Sequence, residues 1–259
     1  MTSNEIKAGL NTKILGREVA FYTETTSTND IALELAGKGA DEGTLVVADS
    51  QTMGRGRGDR KWFAPAGTSI LASLILRPLI ELSQINKIVL ITAISIVYAI
   101  RNITHLPALV KWPNDVVINN KKTAGILAEA KTEKNSVSFV VVGFGINVNV
   151  PKISFPEEIA DIATSLSIES GCEISRIHLL QEILRQIESR YLKLDNDSFL
   201  DEWKNLSATI GRQVQIEYPD SIKTGLALNI DENGALTIKL NTGEIQRIIN
   251  DDIVRVKTK

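Results

Sequence analysis

The sequence of 259 residues has one cysteine, Cys172, and only two histidines, His105 and His178. A single cysteine excludes an internal disulfide framework and fits a reducing compartment. With so few histidines there is no evident Cys–His or Ser–His pair, which are the usual constellations for covalent catalysis by a side-chain nucleophile. Any catalysis by this chain is therefore expected to depend on other residue types.

The chain also lacks a strong net charge, a basic leader and a long apolar run. A net charge of −2 and a pI near 5.8 argue against a general nucleic-acid or membrane-surface binder, which usually needs a clearly basic face. No basic-then-apolar leader suggests export, so a cytoplasmic location is expected. The longest apolar stretch, residues 85–100, is shorter than the roughly 20 residues of a bilayer span and predicts a buried helix.

What the sequence does contain is the cationic segment QTMGRGRGDRKW, residues 51–62. Its alternating glycines allow the backbone to wrap closely around a ligand and present N–H groups to it. Its arginines supply guanidinium groups suited to carboxylate and phosphate oxygens. Apolar runs at 44–48 and 69–76 flank the segment, which predicts a loop between two strands that encloses an anionic small molecule. An RNA-binding RG tail is the less favoured alternative, because such tails lie in low-complexity surroundings.

Three further polar motifs lie at the ends of predicted elements. TSTN, residues 26–29, begins a predicted helix, where capping uses one hydroxyl group and leaves two polar groups for a neutral ligand. KWPNDVVINNKKTAGILAEA, residues 111–130, predicts a β-hairpin that turns at Asn119-Asn120. The β-branched run at 137–142 predicts a central strand and ends in GFGINVN, residues 143–149.

Ser175 is predicted to cap a second amphipathic helix, and the sequence pattern changes after it. From Ile210 onward, short strands alternate with turn signals, which is typical of a small all-β module. The sequence therefore predicts an α/β domain over residues 1–205 and an all-β domain over residues 206–259.

Taken together and in this order, GRGRGDRKW, KWPNDVVINNKKTAGILAE and GFGINVN, with TSTN upstream, resemble the biotin protein ligase family over residues 20–256. The resemblance implies an α/β (α+β) catalytic domain related to class II aminoacyl-tRNA synthetases, followed by an SH3-like barrel. It also implies ATP-dependent, Mg²⁺-assisted formation of biotinyl-5′-AMP and transfer of biotin to a lysine of a biotin carboxyl carrier protein. About 20 residues precede the catalytic pattern, so a monofunctional ligase that binds neither DNA nor membrane is expected, with homodimerisation possible.

The resemblance also assigns residues, by their positions in the matching motifs. Those expected around biotin are Ser27, Thr28, Asn29, Gln51, Gly54, Arg55, Gly56, Arg57, Trp62, Lys122, Gly125 and Leu127. Those expected around ATP are Arg57, Arg60, Lys61, Trp62, Asn114, Lys122, Gly143, Gly145 and Asn147. Those expected to take part in catalysis are Arg57, Lys122, Lys111 and Asp115. The metal ligands are not predicted.

Several alternatives stay open at this point. Asp115 either orients or deprotonates the incoming lysine, helps to hold Mg²⁺ through water, or is only the structural partner of a cation. Lys122 by its spacing alone is equally a solvated hairpin lysine. A lipoate or octanoate ligase or transferase has the same fold, and a non-catalytic biotin sensor would have the same pocket. The glycine-rich loop is expected to be mobile without ligand and to order over it.

Overall fold

The computed structural model of the chain describes residues 1–58, 60–133, 136–196, 198–249 and 253–258. The α-helices are α1 (Ser3–Ala8), α2 (Thr28–Gly37), α3 (Ile85–Thr104), α4 (Glu157–Ala160), α5 (Leu166–Ser170), α6 (Arg176–Tyr191) and α7 (Phe199–Asn205). The strands are β1 (Val19–Thr25), β2 (Leu45–Gln51), β3 (Ser69–Leu76), β4 (Leu109–Lys111), β5 (Asp115–Ile118), β6 (Lys121–Glu133), β7 (Ser136–Asn147), β8 (Gln213–Glu217), β9 (Ile222–Ile230), β10 (Leu236–Leu240), β11 (Ile245–Ile248) and β12 (Arg255–Thr258). Short 3₁₀ helices span Leu82–Gln84 and Lys152–Ser154.

The first seven strands form one sheet in the order β1-β2-β3-β7-β6-β5-β4. Only β1 and β2 are parallel, and the other neighbours are antiparallel. The β-branched run at 137–142 lies in β7, the fourth of the seven strands, so the prediction of a central strand is confirmed. The predicted hairpin is also confirmed, because Asn119 and Asn120 have φ of 51° and 63° between β5 and β6.

The two faces of this sheet are covered differently. On one face the alternate residues Val140, Val142, Phe144 and Ile146 of β7 join a core that also contains the apolar sides of α3 and α6. On the other face α2 packs over Phe139 and Val141 of the same strand, and its first turn reaches Gly143 through Asn29. The rest of that second face is therefore open to form a site.

Helix α3 confirms the predicted buried helix. The stretch Leu82–Thr104 is long and apolar enough to cross a membrane by length and composition, but 72% of its most apolar window is buried inside the protein. Helix α1, at the N-terminus, was not predicted. The sequence there carries little periodicity, and α1 is held by burial of Ile6 and by its Thr2 cap.

The last five strands form a second sheet in the order β11-β10-β9-β8-β12. The series of short strands predicted from Ile210 onward is confirmed over the described residues. The turn between β9 and β10 contacts the larger sheet, because Trp112 Nε1 between β4 and β5 donates to the Gly234 carbonyl at 2.9 Å. The segment that follows α7 also contacts it, because Val110 N of β4 donates to the Leu206 carbonyl at 2.9 Å. The division of the chain near Leu206 stays a prediction.

One buried carboxylate fixes the segment that leads into β1. The Glu188 side chain on α6 accepts hydrogen bonds from the backbone N–H groups of Lys13, Ile14 and Leu15 at 2.7, 2.7 and 2.9 Å. Burial of this carboxyl group is the largest single influence and raises its pKa, but the three backbone bonds together outweigh it, and the pKa of Glu188 lies below its ordinary value.

We expect Glu188→Gln to lower the free energy of unfolding by about 1 to 3 kcal/mol at pH 7, because an amide has one acceptor oxygen for three donors. A lowered folded-state pKa means that the stabilisation is complete above the unfolded pKa of about 4.3 and is lost as the pH falls through the folded value. Urea unfolding of wild type and variant at pH 7 and pH 4 tests this, and the difference should shrink at pH 4. Glu173→Gln, at an exposed carboxylate just before the same helix, is the control and should change little.

Candidate active site

A cavity of about 210 Å³ lies on the open face of the large sheet. Its walls come from the start of α2, the loop between β2 and β3, strands β6 and β7, and the segment after β7. The lining residues are Ser27, Thr28, Asn29, Gln51, Arg55, Gly56, Arg57, Arg60, Lys61, Trp62, Phe63, Leu71, Asn114, Lys122, Gly125, Ile126, Leu127, Gly143, Phe144, Gly145, Asn147, Phe155, Ile159, Ile162 and Ala163. Pockets for drug-sized ligands usually measure about 300 to 1,000 Å³. This cavity is smaller, so the loop between β2 and β3 has to move outward before two ligands can bind together.

A β-bulge in β6 brings Lys122 into the cavity. Val117 pairs with Lys122 and Val116 pairs with Ala124, so the intervening Thr123 is an extra residue on β6. In a regular strand, residues three apart point to opposite faces. The bulge cancels that alternation, and Lys122 therefore lies on the same face as Gly125, where its Cε is 3.1 Å from the position of a Cβ on that glycine.

The first residues of α2 form a buried polar group at one end of the cavity. The Thr28 N–H and hydroxyl groups donate to Gln51 Oε1 at 2.6 and 3.1 Å. Ser73 Oγ on β3 lies 2.6 Å from Asn29 Oδ1. Ser27 is the N-cap residue but makes no side-chain capping bond, although its side chain is 2% exposed. The sequence predicted that one of these hydroxyl groups caps the helix, and the Ser27 hydroxyl does not.

The cationic loop folds back on itself over this cavity. Gly56 N donates to the Arg60 carbonyl at 2.7 Å, and Trp62 N donates to the Gly54 carbonyl at 2.9 Å. Asp59, within the predicted motif, lies outside the described residues. The Arg57 guanidinium donates to the carbonyl oxygen of Ile253 in the C-terminal module. The prediction of a loop between two strands is confirmed, and the same loop also contacts the second sheet.

Two glycines paired across β6 and β7 make room for the ring of Trp62. Gly125 faces Gly145 in the sheet, and a Cβ on either would lie 3.0 or 2.5 Å from Trp62 ring atoms. Lys122 Nζ lies 5.5 Å from the ring centroid, within cation–π range. Trp62 Nε1 is buried and has no hydrogen-bond partner among the described residues, which leaves a donor directed at a ligand.

Asn147 closes the cavity at the end of β7. Its amide nitrogen donates to the Thr164 carbonyl at 3.0 Å. Its Oδ1 is buried without a hydrogen-bond partner in the part of the chain that the structure describes. Buried polar atoms are normally paired, so this oxygen and Trp62 Nε1 together indicate a polar ligand.

Arg55 has a different environment from the other loop cations. Its Nη2 lies 2.7 Å from Asp30 Oδ1 and 2.8 Å from Glu129 Oε2. Two carboxylates therefore neutralise this guanidinium group, and its side chain holds the loop against α2 and β6. We interpret it as an anchor for the loop rather than as a phosphate ligand.

The cavity brings together most of the residues that the sequence predicted. Gly54, Lys111 and Asp115 do not line it. Gly54 lies behind the loop, where its Cβ position is 2.9 Å from the Trp62 carbonyl. Lys111 and Asp115 pair with each other in the backbone ladder, and Asp115 Oδ1 forms an ion pair with Lys122 Nζ at 2.5 Å. Asn114 lines the cavity, and its Nδ2 donates to the Ile126 carbonyl at 2.6 Å.

The sequence missed the wall formed after β7. Phe155, Ile159, Ile162 and Ala163 line the cavity, and the chain there is fixed alongside β6 because Lys122 N donates to the Ile162 carbonyl and Thr164 N to the Lys122 carbonyl. No motif marks this segment. Ile162 is apolar but 48% accessible, and only the fold shows that this exposed side chain lines the cavity.

Among the residues that the structure describes, no group of three or more His, Cys, Asp or Glu side chains could hold a metal ion. Mg²⁺ keeps several of its waters and is usually bound through one or two carboxylates together with substrate phosphates. The residues in this cavity fit a metal ion that arrives with a phosphate ligand better than one held in a protein cage.

Comparison with known proteins gives consistent results for both parts of the chain. Residues 21–147 match the model of the biotin/lipoate A/B protein ligase family, and residues 209–254 match that of the biotin protein ligase C terminal domain. The chain is 40% identical over 256 residues to the bifunctional ligase/repressor BirA of Bacillus subtilis, covering 98% of this chain and 78% of that protein. It is 30% identical over 249 residues to the biotin--[acetyl-CoA-carboxylase] ligase of Mycobacterium tuberculosis, covering 93% and 90%.

A solved structure agrees with these sequence matches. The biotin protein ligase from Aquifex aeolicus in complex with biotin and ATP superposes with a TM-score of 0.78 at 29% identity, covering 94% of this chain and 100% of that one.

Proposed function

This chain belongs to the biotin protein ligase family, and we propose on that basis that it joins biotin to ATP and passes the biotinyl group to a carrier protein. Biotin's carboxylate attacks the α-phosphate of ATP, releasing pyrophosphate and leaving biotinyl-5′-AMP. A carrier lysine then attacks the acyl carbon, and AMP leaves. The observation that carries the proposal is the single cavity that holds a neutral polar end at α2, a cationic rim, and two orphaned polar atoms.

The polar end at α2 suits the ureido group of biotin, which needs donors and an acceptor rather than a charge. Ser27 offers a buried hydroxyl that does not cap the helix. Gln51 has its oxygen engaged by Thr28, so its amide nitrogen is the group that donates to the ligand. Gly125 and Leu127 line the path from there toward Lys122. Asn29 supports this end through protein contacts instead of binding the ligand itself.

The cationic side chains of the cavity suit the reacting groups. Both the biotin carboxylate and ATP are anionic, so cations must hold them together and stabilise the charge that builds on the phosphate oxygens. Lys122 is the cation that reaches the cavity from the rigid sheet. Arg57, Arg60 and Lys61 come from the loop, so they act fully only when it is closed.

The nucleotide lies beyond Trp62 in this proposal. The ring of Trp62 separates the two substrates, and its Nε1 donates to one of them. Asn147 faces adenine with its unpaired Oδ1, which matches the exocyclic amino group of that base. Phe155 and Ile159 cover the base from the segment after β7, with Gly145 beneath. Gly143, which the sequence assigned to ATP, packs against Asn29 at the polar end instead.

Asp115 holds Lys122 in the absence of substrate. When a phosphate or carboxylate draws Lys122 away, Asp115 becomes available to orient or deprotonate the carrier lysine, and Lys111 is its neighbour across the hairpin ladder. Mg²⁺ supplies charge neutralisation when it enters with the ATP phosphates.

We propose further that the large domain has the fold of class II aminoacyl-tRNA synthetases and that residues 206–259 form an SH3-like barrel, supported by the five short antiparallel strands of the second sheet. The carrier is a biotin carboxyl carrier protein, and the exposed free Cys172 fits a cytoplasmic protein. That the chain does not bind operator DNA and that it can form a homodimer both stay predictions.

Titration with biotin, followed by ATP and Mg²⁺ with continuous detection of pyrophosphate, tests this function. We expect tight binding of biotin and release of one pyrophosphate per chain without carrier protein, because the acyl adenylate stays in the closed cavity. The same assay is performed in parallel with lipoate and with octanoate. These two substrates distinguish a biotin ligase from a lipoate or octanoate ligase of the same fold. Biotin binding without pyrophosphate would identify a non-catalytic sensor, and activity with lipoate alone would overturn the choice of substrate.

A further inference from the structure

Glu129 is a charged residue beside the site that lies within the motif at residues 111–130 but received no role from the sequence, and it does not line the cavity. It lies on β6, two residues beyond Leu127 and on the same face, with a side chain that is 28% exposed. A carboxylate so close to a site for two anionic substrates weakens their binding unless its charge is compensated. The hydrogen bonds of Glu129 supply that compensation and indicate its role.

A single oxygen of Glu129 joins two separate parts of the site. Oε2 accepts a hydrogen bond from Asn29 Nδ2 at 2.7 Å and another from Arg55 Nη2 at 2.8 Å. Asn29 belongs to the polar end at α2, and Arg55 belongs to the cationic loop. The carboxylate is therefore a side-chain link between the polar end at α2 and Arg55 in the middle of the loop, in addition to the contacts of Thr28 with Gln51 where the loop begins.

Asn29 has no freedom to move independently of this connection. Its Oδ1 lies 2.6 Å from Ser73 Oγ, and its Nδ2 is also 3.4 Å from the Leu127 carbonyl. A Cβ on Gly143 would be 1.9 Å from its Oδ1, so the amide is packed directly against β7. Any shift of α2 that accompanies ligand binding next to Ser27 and Thr28 must therefore displace Glu129 or be resisted by it.

Asp30 provides an internal comparison. It lies next to Asn29 in the chain and binds the same Arg55 Nη2 at 2.7 Å. No hydrogen bond links it to Asn29, to Gln51 or to the strands beneath the cavity in the part of the chain that the structure describes. Asp30 thus holds the loop without connecting it to the polar end, whereas Glu129 does both.

We propose that Glu129 is a positioning residue that couples occupation of the biotin pocket to closure of the cationic loop, acting through Asn29 on one side and Arg55 on the other. This inference rests on the proposed function. When biotin fixes the start of α2, Asn29 holds Glu129 in place, and Glu129 then holds Arg55. Without biotin the carboxylate is less constrained, and the loop opens more readily to admit ATP.

Limited trypsin cleavage at the loop, with and without biotin and in the absence of ATP, tests the coupling. In wild type we expect biotin to slow cleavage by about fivefold or more, the lower end of typical coupling between sites. In Glu129→Gln the protection should fall below about twofold, because the neutral amide oxygen accepts both hydrogen bonds more weakly and forms no ion pair with the guanidinium. Asp30→Asn should speed cleavage in both states by the same factor and leave the protection ratio unchanged. Neither substitution alters the cleavage sites in the loop.

Steady-state kinetics give a second readout that a general loss of stability would not reproduce. Glu129→Gln should raise the KM for biotin and should weaken the dependence of the KM for ATP on biotin concentration, because the loop cations act fully only when the loop is closed. Should Glu129→Gln fold poorly, Glu129→Asp keeps the charge but is one methylene too short to reach both donors, and it should lose protection in the same way. Equal protection in wild type and in either Glu129 variant overturns the coupling. Absence of any biotin binding by wild type, measured by calorimetry, overturns the proposed function as well.

Discussion

We expect Lys122→Ala to lower the rate of biotinyl-AMP formation by roughly 100-fold or more, the usual effect of removing one group that stabilises transition-state charge. Lys122 is the cation on the sheet beside Trp62, so the flexible loop cannot replace it. Its loss also leaves Asp115, now 2.5 Å from Nζ, as an uncompensated carboxylate close to the reacting anions. Single-turnover release of pyrophosphate with saturating biotin and ATP measures the effect.

The adjacent Lys121 is the matched control for this experiment. It has the same charge but pairs with Ile118, on the other side of β6 from the cavity. Lys121→Ala should therefore keep a rate close to that of wild type. Lys122→Ala/Asp115→Asn should recover part of the lost rate, because it removes the uncompensated charge. A rate within threefold of wild type in Lys122→Ala would show that Lys122 is only a solvated hairpin residue.

The second large effect is expected from Gly143→Ala. The new Cβ would lie 1.9 Å from Asn29 Oδ1 and 2.7 Å from its Cγ, a separation at which one of them must move. The Asn29 side chain is held by Ser73 and Glu129, so the start of α2 has to shift with it. We expect biotin affinity, measured by calorimetry, to fall by about 10-fold or more, together with a stability loss of about 1 to 3 kcal/mol from overpacking.

Substitutions at two other glycines distinguish a specific loss of biotin affinity from a general loss of stability. Gly145→Ala would contact Trp62 Cε2 at 2.5 Å, so it should displace the tryptophan ring and weaken ATP binding more than biotin binding. Gly37→Ala, at the end of α2, meets nothing within 4 Å and should leave both affinities unchanged. If Gly143→Ala and Gly145→Ala impaired both substrates equally, the assignment of the two ends of the cavity would be wrong.

Much of this site was predictable because its features are local. Two consecutive asparagines fix the hairpin through backbone conformations with positive φ, which few residues tolerate. The alternation of glycine and arginine between two apolar runs marks a functional loop without any knowledge of its neighbours. The β-branched run at 137–142 requires burial on both faces, which only a central strand provides.

Other features depend on contacts between distant parts of the chain, and the sequence does not reveal them. Ser73 reads as a polar interruption of an apolar strand until the fold places it 2.6 Å from Asn29. From the sequence alone Glu129 is a solvated strand residue, and only the structure shows its ion pair with Arg55. Asn29 fits the motif of a ligand-binding residue, yet its amide is occupied by protein partners. The contact of Arg57 with Ile253 joins residues that belong to different predicted domains.

Thr123 is the extra residue of β6, and the resulting bulge decides which side of the sheet receives the amino group of Lys122. On a regular strand of the same length, Lys122 would point toward the side where Val116 and Ala124 are fully buried. That change would bury an ammonium group in the core and remove it from the cavity. Deleting Thr123 would instead leave the lysine two residues before the glycine, where regular alternation keeps both on the cavity side. An insertion between Asn119 and Asn120 would lengthen only the turn. The site therefore depends on the bulge as much as on the residues themselves, because a lysine three residues before the glycine on a regular strand would point away from the cavity.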